Sequence, residues 1–313
     1  MKDKNLTIFN LQLVFTNSGY INDGVNPGIT NIVSKLLNEG TKKDGAVNFA
    51  RKLENNAISI NTSTGFETFV IEVSCLTSEY ELALNFLTQL LSDPNITQKS
   101  LDKIKTLQSS KLKQKENDFD YVASSNLKQI TYKNTPLAHT SAGTVDTIEK
   151  IKLKDVKKRL KDILNIDNLI IAVGGDISFK EFSSHSEPIL KNLKSQGKTD
   201  FNKIAISSKP KNKIILKETE QSYIYFSSPF YIDSDSKESY KAKVASFILG
   251  GSGFGSRLME EIRVKNGLAY SAYGHIKNNK SHSDFSGYLP NKPSHTQKGK
   301  RFGWDLLFKE LCR

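Results

Sequence analysis

The stretch Gly250-Gly-Ser-Gly-Phe-Gly-Ser-Arg-Leu-Met-Glu-Glu-Ile-Arg-Val-Lys-Asn-Gly-Leu-Ala-Tyr270 constrains this chain more than any other. Its glycine run, Gly250 to Gly255, accepts positive φ and lets another backbone approach closely. A helix is predicted from Ser256, an N-cap candidate, to about Asn266, with Gly267 at the C′ position. A strand is predicted to follow, with Leu268, Tyr270 and Ala272 on one face and Ala269, Ser271 and Tyr273 on the other. Arg263 then falls in the last helical turn and Tyr270 near the strand start, so a cation and a phenol share one rigid corner. Local features also allow a plain structural joint, because a helix C-terminus favours Arg and strands favour Tyr.

The segments before this corner set the fold class. Leu6–Phe15 alternates like a strand. Asn26-Pro27-Gly28 opens a helix with Ile29, Ile32, Val33, Leu36 and Leu37 on one face, and a second helix starts at Asp44. Ala57–Thr62 and Phe66–Cys75 form a hairpin pair by their alternation. Ser78-Glu-Tyr-Glu81 reads as a capping box for a helix to Leu91. Helices are predicted from Thr97 toward Asn117, from Tyr121 toward Tyr132, and over Thr144–Ile151 and Lys154–Leu164, before a strand at Leu169–Gly174. Hairpins and meanders outnumber βαβ units, which argues for an α+β protein. Lys191–Lys213, rich in Lys, Ser and Asn, is the best linker. Lys213–Lys217 and Gln221–Phe230 restart the strand pattern, and Tyr240–Leu249 is a helix feeding the glycine run. The domain reading is therefore 1–190, a linker at 191–212, and 213–313. From about Pro290 the text turns rich in Lys, Pro, Ser and Gly and is expected to be poorly ordered.

The chain of 313 residues suits about two domains. Its formal charge of +12, from 45 basic and 33 acidic residues, is mostly Lys scattered over every segment. A nucleic-acid binder concentrates its bases with aromatics on one surface, so no nucleic-acid partner is expected. No apolar run approaches the roughly 18 residues of a membrane span. Cys75 and Cys312 are far apart and form no redox or metal spacing. With no signal peptide before Leu6, the compartment stays open: cytoplasmic as the sequence stands, periplasmic if it begins inside a domain.

Gly-Gly-x-Gly-x-x-Ser-Arg-Leu, the acidic pair, Arg263 and Gly-Leu-Ala-Tyr270 resemble the C-terminal half of the insulinase/pitrilysin family of zinc metallopeptidases, of the mitochondrial processing peptidase type. The resemblance implies two related α/β-roll domains, the second truncated here. It implies that Arg263 and Tyr270 hydrogen-bond a substrate at its scissile bond, and that Gly250, Gly251, Gly253 and Gly255 guide the substrate in. It extends to Pro27–Thr41, which looks like the helix that carries H-x-x-E-H in active relatives, where two His bind zinc and the Glu is the base. Here those positions are Asn31, Ser34 and Lys35. Neither Asn31 nor Ser34 is a usual zinc ligand, and Lys35 brings a cation where a cation should bind. The third ligand is a Glu on a later helix, and the matching stretch, Gln108-Ser-Ser-Lys111, has no carboxylate.

These positions imply that this chain holds no cofactor of its own and that Zn2+ sits on a partner, a homologous subunit bearing H-x-x-E-H. The expected function is that of a non-catalytic, substrate-positioning subunit of a heterodimeric zinc peptidase, with Arg263 and Tyr270 acting in trans. The alternative is a scaffold or peptide-binding protein of the same fold. An unfolded peptide is also expected to add to a strand edge at Ser59, Ile60, Asn61 and Thr62, where main-chain bonds serve many sequences.

Overall fold

The computed structural model describes residues 7–291. They form two compact units, one comprising residues up to Lys113 with His139–Asp200, the other Gln114–Ala138 with residues from Phe201 onward. Both mix helices with an antiparallel sheet, so the chain is α+β.

In the first unit, β1 (Ile8–Thr16) lies between β3 (Thr68–Leu76) and β4 (Leu169–Gly174), and β2 (Ser59–Thr64) pairs with β3 at the edge. Strand alternation decides which side is covered. Phe9, Leu11, Leu13 and Phe15 on β1 are at most 1% exposed, and Phe69, Ile71 and Val73 on β3 are fully buried beside them. Each such side chain contributes on the order of 2 kcal/mol through burial. Across the pleat, Gln12 faces its register partner Glu72 and donates to it at 3.3 Å.

The helices of this unit are α1 (Ile29–Leu37), α2 (Gly45–Glu54), α3 (Tyr80–Ser92), α4 (Gln98–Lys115), α6 (Val145–Lys150), α7 (Leu153–Ile163) and α8 (Phe179–Leu190). The expected box at Ser78 does not form. Its hydroxyl bonds Glu79, and a 3-10 turn at Thr77–Glu79 leads into α3 instead. A box does form at the start of α8, where Ser178 and Glu181 cap each other at 3.2 and 2.8 Å. That Ser-x-x-Glu signal stood in the sequence, and the helix it announces was missed.

In the second unit β7 (Ser283–Asn291) lies between β5 (Ser222–Pro229) and β6 (Tyr273–Asn278). Ile224, Phe226, Ile276, Phe285 and Leu289 pack against Leu249, on the π-helical turn that follows α9 (Ser239–Ser246), and against Leu258, Met259 and Ile262, on α10 (Arg257–Met259) and the π-helical turn after it. On β5, Tyr223 meets Phe119 of α5 (Phe119–Thr131), with ring centroids 6.1 Å apart.

Four expectations change. Residues 114–138, counted above with the first domain, pack in the second unit, because α5 lies on β5. Lys213–Lys217 is not a strand; only Ser222–Pro229 is. The strand expected from Leu268 starts at Tyr273. Pro290 and Asn291 are paired with Tyr223 and Ser222 at the end of β7, so poor order does not begin at Pro290, and residues 292–313 lie outside the described residues.

Candidate functional site

The helix expected to carry a zinc motif is fixed by a buried cap. Asp23 accepts the Gly28 N–H at 2.7 Å and the Thr30 N–H at 3.2 Å, and so takes two of the orphan donors at the start of α1. Arg159 of α7 donates to the Thr30 hydroxyl at 2.8 Å and to the carbonyls of Ser18 and Gly19 at 2.9 and 2.8 Å. Gly28 has φ +99°, and a Cβ there would lie 2.7 Å from Ile148 Cδ1, so only glycine suits the turn.

Asn31, Ser34 and Lys35 lie on this helix, and the side chains of Ser34 and Lys35 bond to residues of other elements. Ser34 donates through Oγ to the Thr62 carbonyl at 2.9 Å, and the Thr62 hydroxyl lies 2.7 Å from the Ser34 carbonyl. The Lys35 ammonium donates to Gln108 Oε1 on α4, and Gln108 Nε2 donates to the Ala142 carbonyl at 3.0 Å. Burial, and then the nearby Lys111 charge, hold the Lys35 ammonium below the usual lysine range. Asn31 Oδ1 is buried and accepts no hydrogen bond.

Position 35 and the stretch around Gln108 thus meet, as a ligand pair would. The groups that meet are an ammonium and an amide, which do not fit a zinc ion. Among the described residues, no group of three or more His, Cys, Asp or Glu is placed to hold a metal.

β2 is an edge strand, as a peptide-adding strand must be. Its Ser59 and Asn61 side chains are exposed, while Ile60 and Thr62 are buried. At Thr62, however, the outward main-chain groups are already occupied. Its N–H donates to Asn38 Oδ1 at 3.0 Å, and its carbonyl receives Ser34 Oγ. A peptide pairing there has to displace both.

In the second unit Arg263 and Tyr270 come together. The Arg263 guanidinium carbon lies 4.5 Å from the Tyr270 ring centroid and 4.7 Å from that of Phe254. The cation lies over both aromatic faces, a contact favoured by the ring quadrupoles. Phe254 and Tyr270 are 71% and 77% exposed. The Arg263 guanidinium makes no hydrogen bond or ion pair with a described residue, and neither does the Tyr270 hydroxyl.

Backbone geometry builds this arrangement. Ser256 caps α10 by accepting the Met259 N–H at 3.3 Å, and the helix then widens into a π-turn over Glu260–Lys265. The wider turn aims Arg263 differently from a regular helix, and such turns recur at functional sites. Gly267, at φ +59°, ends it with N–H bonds from Gly267 to Arg263 and from Leu268 to Ile262. Residues 268–272 are a loop, so Tyr270 is not held in a strand ladder.

The glycines divide. A Cβ on Gly250 would lie 2.4 Å from the Gly274 nitrogen, so that glycine is required by packing on β6. Gly253 has open space but φ +64°, while Gly255 has open space and an ordinary φ. The pairing of Phe254 with Arg263 was missed by the sequence reading. Its signal was an aromatic side chain flanked by glycines, in a loop that packing alone does not explain.

Comparisons with known proteins agree along the chain. The family described as insulinase (peptidase family M16) matches residues 9–145, and the peptidase M16 inactive domain matches residues 150–313. The non-peptidase homolog YmxG of Helicobacter pylori is 41% identical over 285 residues, 91% of this chain and 66% of that protein. This chain therefore spans just under two thirds of that relative's length. The mitochondrial-processing peptidase subunit beta of Saccharomyces cerevisiae is 21% identical over 175 residues, 56% of this chain and 38% of that one. In fold, the chain is similar to the crystal structure of a peptidase M16 inactive domain from Pseudomonas fluorescens, with TM-score 0.90 at 23% identity, over all of this chain and 76% of the other.

Proposed function

The chain belongs to the insulinase (peptidase M16) family as a non-catalytic member, and we propose that it serves as the substrate-positioning subunit of a two-chain zinc peptidase. In this reading a homologous partner bearing H-x-x-E-H supplies the zinc and the base. This chain supplies Arg263 and Tyr270, with the glycine run from Gly250 to Gly255 beside them. The observation that carries the reading is the contrast in donors. Arg263 and Tyr270 are brought together with their donors unpaired, while the polar groups at positions 34 and 35 bond to neighbouring residues.

As water attacks a scissile carbonyl, negative charge gathers on its oxygen. A guanidinium N–H and a phenol O–H aimed at that oxygen stabilise the charge, and donors held in place beforehand need no reorganisation. A relative described as a subunit of a processing peptidase supports the two-chain arrangement. The test mixes a homologue bearing H-x-x-E-H with wild-type, Arg263→Ala or Tyr270→Phe chains. Both variants are expected to assemble normally and to lower turnover about 10²–10³-fold. Full turnover with either variant removes the role of that residue, and full turnover with both leaves the scaffold reading.

A further inference from the structure

We propose that Phe254 is the positioning residue of this site, acting on the substrate only through Arg263. The inference rests on the reading just given and adds a residue to which the family pattern assigns no role. Phe254 stands out on two counts. Its ring is 71% exposed and belongs to neither buried apolar cluster, so packing does not account for it. The Arg263 guanidinium lies over its ring, 4.7 Å from the centroid, as it does over the Tyr270 ring at 4.5 Å.

The backbone is shaped to put the ring there. Gly253–Gly255 is a single 3-10 turn that starts from the left-handed φ of Gly253 and runs into the Ser256 cap of α10. Phe254 is the only residue of that turn with a side chain, so the turn has one thing to present.

A guanidinium at the end of a long side chain has considerable rotamer freedom, which must be lost before its donors point at one oxygen. Contact with two rings restricts the cation without using any of its N–H groups. All five donors are left for a carbonyl. Contact with Tyr270 alone leaves the group freer to swing. Phe254 has no polar atom and cannot itself stabilise a developing charge, so its effect passes through the orientation of Arg263.

The test uses the two-chain mixture and adds a measurement on this chain alone. Phe254→Leu keeps apolar bulk but loses the ring face. It is expected to assemble normally, to lower kcat about three- to tenfold and to leave KM nearly unchanged. Phe254→Tyr is expected to restore kcat, because it restores the face; a merely structural residue would change stability or assembly instead. In the isolated chain, the Arg263 Nε–H proton resonance is expected to sit upfield through ring currents and to move downfield in Phe254→Leu.

If Phe254→Leu matches wild-type kcat while Arg263→Ala is impaired, the role of Phe254 is overturned and the role of Arg263 stands. If Arg263→Ala retains full turnover, both fall. An Arg263 resonance that is unmoved by Phe254→Leu also overturns the proposal, whatever the kinetics.

Discussion

Two polar clusters in this molecule treat their hydrogen bonds in opposite ways. On α1, Ser34 and Lys35 bond to Thr62 and Gln108, and Gln108 bonds onward to Ala142. Beyond α10, Arg263 and Tyr270 touch each other and Phe254 through ring faces and leave their donors unpaired. A group whose partners are all internal rigidifies the fold, and one whose donors point outward is available to a ligand. The first cluster lacks the chemistry of a metal site but keeps its convergence. The second leaves its guanidinium and phenol donors unbonded among the described residues.

Convergence without chemistry predicts the largest effect. The wild-type chain should bind no stoichiometric zinc, whereas Asn31→His, Ser34→Glu, Lys35→His and Gln108→Glu together should bind one zinc per chain. The reason is the direct contact between positions 35 and 108, which already places two ligand positions within reach of one ion. Elemental analysis of both proteins after dialysis checks this. A quadruple variant free of zinc would show that the contact between positions 35 and 108 is not ligand geometry.

The second cluster is sharpened by its glycines. Gly250→Ala should destabilise the second unit by about 2 kcal/mol, because the new methyl meets Gly274 backbone at 2.4 Å and backbone cannot move aside cheaply. Gly255→Ala should stay within about 0.5 kcal/mol, since nothing lies closer than 3.9 Å. Denaturant unfolding separates the two. Equal losses would mean that the run is needed as a whole and that the division between packing and open glycines is wrong.

How much of this was legible follows from what each feature depends on. Strand alternation in β1 and β3 and the apolar stripe of α1 reflect single-element periods, and the sequence displays these directly. That positions 31, 34 and 35 are Asn, Ser and Lys, and neither His nor Glu, is likewise displayed directly by the sequence. What took their place was not visible, since Lys35 meets Gln108 across 73 positions and Ser34 meets Thr62 across 28. The π-turn at Glu260–Lys265 was read as ordinary helix because both have similar residue preferences. The strand expected at Leu268 fitted the alternation, but the ladder begins only at Tyr273, where β6 reaches Tyr288 of β7. The place of α5 on β5 rests on tertiary contacts that no local pattern announces.

A smaller effect tests whether the closed cluster also guards the strand edge. Asn38→Ala should cost about 1 kcal/mol through the lost bond to the Thr62 N–H. It should at the same time raise affinity for an unfolded peptide at β2, because an outward donor is released. Fluorescence anisotropy with a labelled unstructured peptide checks the second part. Unchanged affinity would mean that Ser59–Thr62 is only a polar rim.

The smallest effect concerns the charge that the closed cluster carries. Burial, and then Lys111, disfavour the Lys35 ammonium, so its folded pKa lies below the ordinary 10.5. In the window between the folded value and 10.5 the unfolded chain holds the Lys35 proton and the folded chain does not. Stability contributed by this group therefore rises as pH increases through that window, and the cost of the charge is fully present below it. Lys35→Met removes both the charge and the bond to Gln108. Measured by urea unfolding, the stability of wild type relative to Lys35→Met should climb as pH is raised toward 10.5 and should be level below the folded pKa. A flat difference would mean that the ammonium is well solvated and that Gln108 is its only constraint. A climb would show that α1 bears an electrostatic strain at Lys35, whereas the cation of the second cluster, Arg263, rests against two exposed rings.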